Sequence, residues 1–209
     1  MLGIIDYGMG NLGSVTNACR FLELDARIVT QPGELDACSG IILPGVGAFG
    51  DCMEHLNEHG FSDAIRSAVA DGKPYLGMCL GLQVLFRESE ESPGAEGLGI
   101  LPGTVKRFQR PAEYKIPQIG WNGVRQVKPE CALFESVDDG AFFYFVHSYC
   151  VEPSDSDLVS GVTDYGGEYC SAVWRDNVMA VQFHPEKSQK DGLQMLRNFG
   201  SLFGGEGAV

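Results

Sequence analysis

The chain has no long hydrophobic run and few basic residues. None of its apolar stretches approaches the ~20 residues that a membrane-spanning helix needs. The N-terminus, MLGIIDYGMG, has no Lys or Arg before its short apolar run, which predicts a first β-strand and not a signal peptide. The chain has 15 Lys and Arg against 28 Asp and Glu, which gives a formal net charge of −13. This charge repels phosphate backbones and anionic bilayers, so we expect neither nucleic acid nor a membrane as partner.

The cysteine pattern lacks the spacing of a metal site or a disulfide framework. Seven is an odd number, and no two cysteines form a CxxC pair; they stand at Cys19, Cys38, Cys52, Cys79, Cys131, Cys150 and Cys170. Scattered single cysteines argue against both a disulfide scaffold and a zinc ribbon. We therefore expect a protein of the reducing cytoplasm, with no metal and no cofactor.

The first half of the chain reads as alternating strands and helices. Short apolar runs predict strands at 2–6, 26–29, 40–43 and 74–78, and amphipathic segments predict helices at about 11–23, 51–58, 61–70 and 80–88. This alternation is typical of βαβ units. It predicts an α/β fold with an open, mostly parallel sheet flanked by helices.

The second half is rich in strands. After Pro93, alternating segments predict strands at 104–108, 141–146, 157–162, 169–174 and 178–183, followed by a helix near 190–202. These strands predict antiparallel additions in the C-terminal half. No linker or repeat separates the two halves, so we expect one domain over 1–205 and a disordered tail over 206–209.

Cys79 stands in the frame Gly77-Met-Cys79-Leu-Gly81, between a predicted strand and a predicted helix. This frame is similar to the G-x-S-x-G nucleophile elbow, with sulfur in place of oxygen. A thiol at a helix N-terminus is favoured as a thiolate, the nucleophilic form. The alternative is that Cys79 is a buried core residue, as most cysteines of cytosolic α/β proteins are.

His184 is the first candidate for the base that would activate this thiol. It ends the apolar segment VMAVQF, and Glu186 follows two residues later across Pro185. In an extended segment, residues two apart point to the same side, so Glu186 can orient the imidazole of His184. Cys79, His184 and Glu186 then form a catalytic triad. His147, in FYFVHSYC, is the alternative base.

The segment ILPGVGAFG, 42–50, is a glycine-rich loop that leaves another predicted parallel strand. Its backbone could form an oxyanion hole, for which we choose the N–H groups of Val46, Gly47 and Leu80. The alternative is an ordinary turn between a strand and a helix.

Two other motifs match the sequence formally. Gly8, Gly10 and Gly13 fit the G-x-G-x-x-G dinucleotide fingerprint, but the next strand has no acidic residue at its end, and Glu34 arrives only after a turn. The segment HLNEH, 55–59, fits the H-x-x-E-H pattern of zinc peptidases, yet Gly60 should end that helix at once. We therefore favour the triad over both interpretations.

Three segments resemble the class I, or triad, glutamine amidotransferases: GMCLGLQ, PGVGAFG and QFHPEKS. The resemblance covers about residues 2–203 and implies a flavodoxin-like fold. It also implies that Cys79 attacks the side-chain amide of L-glutamine, with His184 as base and Glu186 as its orienting acid. Implied substrate contacts are Gly47, Gln83, Glu91, Ser148 and Tyr149; Glu91 could instead be a solvated charge at a helix end.

Within that family, DYGMGNLGS, IGWN and FVHSY are similar to the glutaminase subunits of imidazole glycerol phosphate synthase. This likeness implies a heterodimer with a separate (β/α)₈ cyclase subunit that receives the ammonia. The positions implied at that interface are Asn11, Trp121, Asn122, Tyr144 and Lys187. Gln118 departs from the more usual Pro-His-x-Gly-Trp-Asn pattern, which puts a local interface contact in doubt.

Two alternatives remain at this stage. A paralogous glutaminase subunit with the same motifs could feed an amidino-sugar pathway through a related partner. A noncatalytic nucleotide-binding protein could instead use the loop at Gly8–Gly13, and Cys79 would then be inert.

Overall fold

The computed structural model describes residues 1–202 and contains one ten-stranded mixed sheet. Five parallel strands form its centre in the order β2-β1-β3-β4-β12. They are β1 (Leu2–Ile5), β2 (Ala26–Val29), β3 (Gly40–Gly45), β4 (Tyr75–Cys79) and β12 (Val178–Val181). This is the strand order of doubly wound flavodoxin-like folds, in which ligands bind beyond the carboxyl ends of the strands.

Helices cover both faces of the parallel strands. They are α1 (Leu12–Phe21), α2 (Phe49–Glu58), α3 (Phe61–Ala70), α4 (Leu80–Gln83) and α5 (Gln189–Ser201). Side chains of one strand alternate between two buried clusters: Ile5 packs with α2 and α3 residues, whereas Ile4 packs with α1 and α5 residues. Burial on both faces explains why these strands read as continuous apolar runs in the sequence.

Antiparallel strands extend the sheet beyond β12. In chain order they are β5 (Gly103–Arg107), β7 (Arg125–Gln126), β9 (Tyr149–Pro153), β10 (Val159–Asp164) and β11 (Glu168–Arg175). β11 pairs with β12 and β10, β10 pairs with β7, and β9 joins β5 to β11. The predicted fold class, a mostly parallel sheet with antiparallel additions, is confirmed.

A separate two-stranded sheet, hereafter the hairpin sheet, is formed by β6 (Gln118–Gly123) and β8 (Phe142–His147). Its inner face packs on the core through Phe143 and Phe145. On the other face, Ile119, Trp121 and Phe142 are 63%, 44% and 60% exposed. Strand alternation thus leaves one apolar face of this sheet uncovered.

Some predicted elements differ from the structure. The helix expected over 80–88 ends at Gln83, and turns follow. The sequence did not predict β6, β7 and β9. The glycines of QIGWNG lower the β-propensity of β6. β7 has only two residues, and β9 follows β8 after a single residue. The final helix near 190–202 is confirmed as α5.

The expected tail over 206–209 lies outside the described residues. Strands from both halves of the chain share one sheet, which agrees with the single domain expected over 1–205, and that boundary stays a prediction. Across residues 1–202, no helix combines the length and the hydropathy needed to cross a bilayer.

Candidate active site

Three neighbouring parallel strands end at the same edge of the sheet. Gly45 at the end of β3 lies opposite Cys79 at the end of β4, and Val181 of β12 lies opposite Met78. The glycine-rich loop, the cysteine and the segment leading to His184 therefore follow three adjacent strand ends. This edge is where open parallel sheets place their ligands.

Cys79 occupies a strained turn between β4 and α4. Its φ of 54° and ψ of −106° are rare for a residue with a side chain. The neighbouring backbone is so close that a Cβ at Gly77 would lie 2.3 Å from the Gly81 carbonyl oxygen, and one at Gly81 would lie 2.0 Å from the Leu43 carbonyl oxygen. Only glycines permit this elbow, whose strain presents the sulfur at the start of a helix.

The imidazole of His184 is paired with the carboxylate of Glu186. Nδ1 of His184 lies 2.9 Å from Oε1 of Glu186, and the two side chains are only 3% and 2% exposed. The contact forms because β12 ends at Val181 and residues 185–187 make a 3₁₀ turn, so strand alternation is not its cause. Nε2 of His184 is buried and has no hydrogen bond among residues 1–202, which leaves it open to a proton from the thiol.

The neighbouring groups reverse the effect of burial on the pKa of His184. Burial alone would lower the pKa of His184, but the nearby thiol of Cys79 and the carboxylate of Glu186 act in the opposite direction and prevail. The pKa of His184 therefore lies above its usual value, which favours the imidazolium form of His184. An imidazolium paired with a thiolate is the active form of a cysteine nucleophile.

The alternative base, His147, has partners for both ring nitrogens. Its Nδ1 lies 2.8 Å from the Tyr149 carbonyl oxygen, and its Nε2 lies 3.3 Å from the Tyr169 hydroxyl. Burial lowers the pKa of His147 to about 4, and the charges of His184 and Arg110 add to that effect. His147 is thus a neutral core histidine in this structure.

Gln182 is a residue of the site that the sequence reasoning did not single out. It is fully buried, and its Nε2 donates to Sγ of Cys79 at 3.7 Å. Its Oε1 accepts from Nε2 of Gln83 at 3.1 Å. The signal available was a polar residue inside the apolar segment VMAVQF, two residues before His184.

The predicted oxyanion donors lie beside the elbow. Leu80 is the first residue of α4. A Cβ added at Gly45 would lie 2.8 Å from the Cβ of Leu80, so the backbone at Gly45 passes close to the elbow. Gly47 has a φ of +107°, and a Cβ there would lie 2.7 Å from Cε of Met9. Val46, between two glycines, is 38% exposed. Val46 and Gly47 directly follow Gly45, which pairs with Cys79, and Leu80 directly follows Cys79; the role of the three N–H groups stays a prediction.

The predicted substrate contacts surround the same edge. Glu91 accepts from the backbone N–H of Phe49 at 2.8 Å, at the start of α2. Glu91 is half-buried and lies in a turn beyond the end of α4, and its contact with the substrate stays a prediction. The Tyr149 carbonyl accepts from Gln83 Nε2 at 3.1 Å, and the Ser148 carbonyl accepts from the N–H of Phe108 at 3.0 Å.

Three of the predicted interface residues lie together. The rings of Trp121 and Tyr144 meet edge to face with centroids 6.2 Å apart, and Nζ of Lys187 lies 5.8 Å from the Tyr144 ring centroid. Asn122 is on the opposite face of β6, where it donates to the Asp164 carbonyl at 2.8 Å. Asn11 is the exposed N-cap of α1.

Gln118, whose departure from the usual pattern puts a local interface contact in doubt, faces the core. It is 2% exposed, and its Oε1 accepts from the hydroxyl of Tyr169 at 2.9 Å. The reason is alternation along β6, which turns Gln118 inward and Ile119 and Trp121 outward.

The two formally matching motifs have other roles in the fold. Asn11 caps α1 within the Gly8–Gly13 loop, and Glu34 accepts from the N–H groups of Thr30 and Gln31, which uses the carboxylate in a local turn. In HLNEH, Nδ1 of His55 lies 3.1 Å from the Tyr7 carbonyl, and α2 ends at Glu58. No group of three metal-binding side chains occurs within residues 1–202.

The sequence is similar to known proteins over nearly its full length. The family Glutamine amidotransferase class-I matches residues 3–201. The chain is 49% identical to "Imidazole glycerol phosphate synthase subunit HisH" of Syntrophotalea carbinolica, covering 97% of this chain and 100% of that one. It is 52% identical to the subunit of the same name from Desulfitobacterium hafniense, covering 96% and 93%.

Solved structures share the fold at lower identity. A structure described as glutamine amidotransferase has a TM-score of 0.75 at 21% identity, covering 96% of this chain and 97% of its own. PurLQS from Thermotoga maritima has a TM-score of 0.77 at 19% identity, with the same coverage. The chain therefore belongs to the class I glutamine amidotransferases and, within them, to the HisH subunits of imidazole glycerol phosphate synthase.

Proposed function

We propose that this protein hydrolyses L-glutamine to glutamate and ammonia through a thioester on Cys79. The observation that carries the proposal is the strained elbow of Cys79, one strand away from the buried His184–Glu186 pair. The ammonia passes to a separate (β/α)₈ cyclase subunit, which makes imidazole glycerol phosphate and AICAR in histidine biosynthesis. The seven cysteines, all free, suit a cytoplasmic protein.

Each triad residue has a step in this reaction. Nε2 of His184 accepts the thiol proton, and Sγ of Cys79 attacks the side-chain carbonyl carbon of glutamine. The N–H groups of Leu80, Val46 and Gly47 stabilise the oxyanion. His184 then gives its proton to the departing ammonia and activates the water that hydrolyses the thioester, while Glu186 holds the imidazole in place.

The neighbouring residues bind the substrate. Both amide hydrogens of Gln83 are used inside the protein, but its side-chain oxygen accepts no hydrogen bond among the described residues. This oxygen is available to a donor of glutamine. Glu91 supplies the negative charge that faces the α-ammonium group, together with the backbone at Ser148 and Tyr149.

The exposed face of the hairpin sheet is the docking surface for the cyclase subunit. Ile119, Trp121 and Phe142 form an uncovered apolar face, and Tyr144 and Lys187 border it. Aromatic side chains with a charged neighbour are typical of interface cores and their rims. Asn11 contributes from the N-cap of α1, and Asn122 contributes from the other face of β6.

The cyclase subunit also activates the glutaminase. The peptide at Val46 lies between Gly45 and Gly47, so it can rotate at low cost to aim an N–H group at the oxyanion. We expect the isolated protein to hydrolyse glutamine slowly and the complex with bound cyclase ligand to do so rapidly. High turnover by the isolated protein would contradict this part of the proposal.

The proposal is tested with a glutamine-mimicking diazo-ketone added to the complex. We expect one covalent adduct, located on Cys79 by mass spectrometry, and loss of glutaminase activity in Cys79→Ser. Cys131→Ser is the control, because Cys131 is also buried but lies outside the site. An adduct elsewhere, or full activity of Cys79→Ser, would refute the proposed chemistry.

A further inference from the structure

The sulfur of Cys79 is the last member of a series of buried hydrogen bonds. Gln182 donates from Nε2 to Cys79 Sγ at 3.7 Å and accepts at Oε1 from Gln83 Nε2 at 3.1 Å. The same amide group of Gln83 donates to the Tyr149 carbonyl at 3.1 Å. Turning the Gln182 amide over would set two N–H groups against each other, so Gln83 fixes the orientation that presents an N–H group to the sulfur.

The series continues from Tyr149 into the core. Nδ1 of His147 donates to the same Tyr149 carbonyl at 2.8 Å, and Nε2 of His147 lies 3.3 Å from the hydroxyl oxygen of Tyr169. A neutral His147 with its proton on Nδ1 accepts at Nε2. The Tyr169 hydroxyl is also 2.9 Å from Oε1 of Gln118. Its single hydrogen serves either His147 or Gln118, and the Gln118 amide can turn to donate when His147 takes it.

We call this series the buried polar network. All of its side chains are less than 9% exposed, and its members in order are Gln118, Tyr169, His147, the Tyr149 carbonyl, Gln83, Gln182 and Cys79. Buried polar groups that are fully satisfied hold one another in a single arrangement. The network therefore holds the Gln182 amide rigidly beside the nucleophile.

The far end of the network lies in the hairpin sheet. Gln118 is the first residue of β6, and the next residue, Ile119, begins the exposed apolar face. One end of the network thus lies beneath the proposed docking surface, and the other contacts the reacting sulfur. The Gln182 end also acts directly on the charge of that sulfur, because an N–H donor stabilises a thiolate more than a thiol.

We propose that Gln182 stabilises the Cys79 thiolate and that Tyr169, His147 and Gln118 are positioning residues that act on Cys79 through Gln83 and Gln182. This inference rests on the proposed function, because it deepens the role of Cys79 in glutamine hydrolysis. A network that only stabilised the fold would leave the ionisation of the thiol unchanged. The pH profile of Cys79 reactivity separates the two roles.

The test uses Tyr169→Phe, which removes one hydroxyl group from the middle of the network. Its matched control is Tyr165→Phe, whose hydroxyl donates to the Lys115 carbonyl outside the network. Gln182→Leu removes the donor at the sulfur itself. The measurement is the rate of Cys79 alkylation by iodoacetamide from pH 5 to 9 in the full-length protein, read by mass spectrometry of the Cys79 peptide, with circular dichroism as the folding check.

In Gln182→Leu we expect the midpoint of the alkylation profile to rise by about one pH unit, which corresponds to a roughly tenfold loss of thiolate below the midpoint. Tyr169→Phe should shift the midpoint in the same direction and lower the rate about two- to fivefold at pH 7. In the complex, kcat for glutamine should fall while KM changes little. Tyr165→Phe should match the unmodified protein.

The two proposals fail in different ways. If Tyr169→Phe and Tyr165→Phe give the same alkylation profile and the same kcat, the positioning role of the network is wrong. If the diazo-ketone does not label Cys79 in the unmodified complex, the proposed glutaminase chemistry is wrong. Should Gln182→Leu not fold, Tyr169→Phe decides the question alone, since it deletes a single oxygen atom.

Discussion

The backbone of Cys79 stores strain that only close neighbours can maintain. Non-glycine residues at positive φ cost of order 1–3 kcal/mol, so the packing around Cys79 must outweigh that cost. The surrounding contacts are backbone to backbone: Gly77 faces the Gly81 carbonyl, and Gly81 faces the Leu43 carbonyl. At the scale of single residues, the glycines beside Cys79 are therefore required for the backbone geometry of the proposed nucleophile.

Gly81→Ala tests this dependence. The added Cβ would lie 2.0 Å from the Leu43 carbonyl oxygen, so either β3 or the elbow must move. We expect glutaminase kcat in the complex to fall at least about 100-fold, because a displacement of ~1 Å at a nucleophile has that effect. Gly33→Ala is the control, since nothing lies within 4 Å of its added Cβ. Equal kcat values for the two variants would contradict the prediction.

His147 makes stability depend on pH in a defined window. Its pKa in the folded protein is about 4, against an ordinary value of 6.5. Between these values the unfolded chain binds a proton that the folded protein excludes, so stability is complete above pH 6.5 and falls as the pH drops towards 4. The expected loss in the free energy of unfolding is roughly 3 kcal/mol.

The measurement is urea unfolding of the full-length protein at pH 7 and pH 4.5, compared with His147→Gln. The change in the free energy of unfolding between the two pH values is compared for the two proteins. The difference between these changes reports His147 alone, because the carboxylates titrate in both proteins. His184 has a raised pKa, so its stabilisation is complete below its unfolded value and is lost only as the pH rises. Equal changes for the two proteins would rule out the buried neutral His147.

At the scale of elements, the hairpin sheet joins the surface to the site. Its inner face carries the end of the buried polar network, and its outer face carries Ile119, Trp121 and Phe142. The period-two alternation of strand side chains produces both faces from one short segment. One short strand therefore contributes the buried polar residue Gln118 on one face and part of the proposed docking surface on the other.

Ile119→Ala tests the docking role of that face. The side chain is 63% exposed, so we expect little change in stability but a loss of affinity for the cyclase subunit of roughly tenfold, measured by titration calorimetry. Ile28→Ala is the matched control, because Ile28 is 42% exposed on β2 at the edge of the sheet. Equal affinities would place the docking surface elsewhere.

At the scale of the whole molecule, the single sheet ties the two halves of the chain together. β12, close to the C-terminus, pairs in parallel with β4 along Tyr75–Met78. The proposed nucleophile and its proposed base thus come from distant parts of the chain but follow adjacent strands. Separation of the halves would break both the sheet and the site.

This connection predicts one cooperative unfolding transition. Trp121 and Trp174 both lie in the second half, so tryptophan fluorescence follows that half alone, whereas far-ultraviolet circular dichroism follows all of the helices and strands. We expect the urea midpoints from the two probes to coincide, because a single domain unfolds as a unit. Separate midpoints would indicate two domains and contradict the boundary at 1–205.

Much of the parallel core was predictable from the sequence. The central strands are buried on both faces, so their apolar runs stand out, and the helices between them are amphipathic. The triad candidates were also accessible, because Cys79 has glycines that few other roles need and His184 has an acid two residues away. Both signals lie within a few consecutive residues, so they can be recognised without knowledge of the fold.

The hairpin sheet and the buried polar network depend on contacts between distant residues. Gln118 meets Tyr169 across 51 positions, and Gln83 meets Gln182 across 99. Neither contact leaves a local pattern, and the glycines of β6 conceal its strand character. The sequence by itself determined which segments form the central parallel strands, where the elbow lies and which histidine is the candidate base. Only the tertiary structure decided which nitrogen faces the sulfur and which side of β6 faces outward, because hydrogen bonds are made by proximity in space.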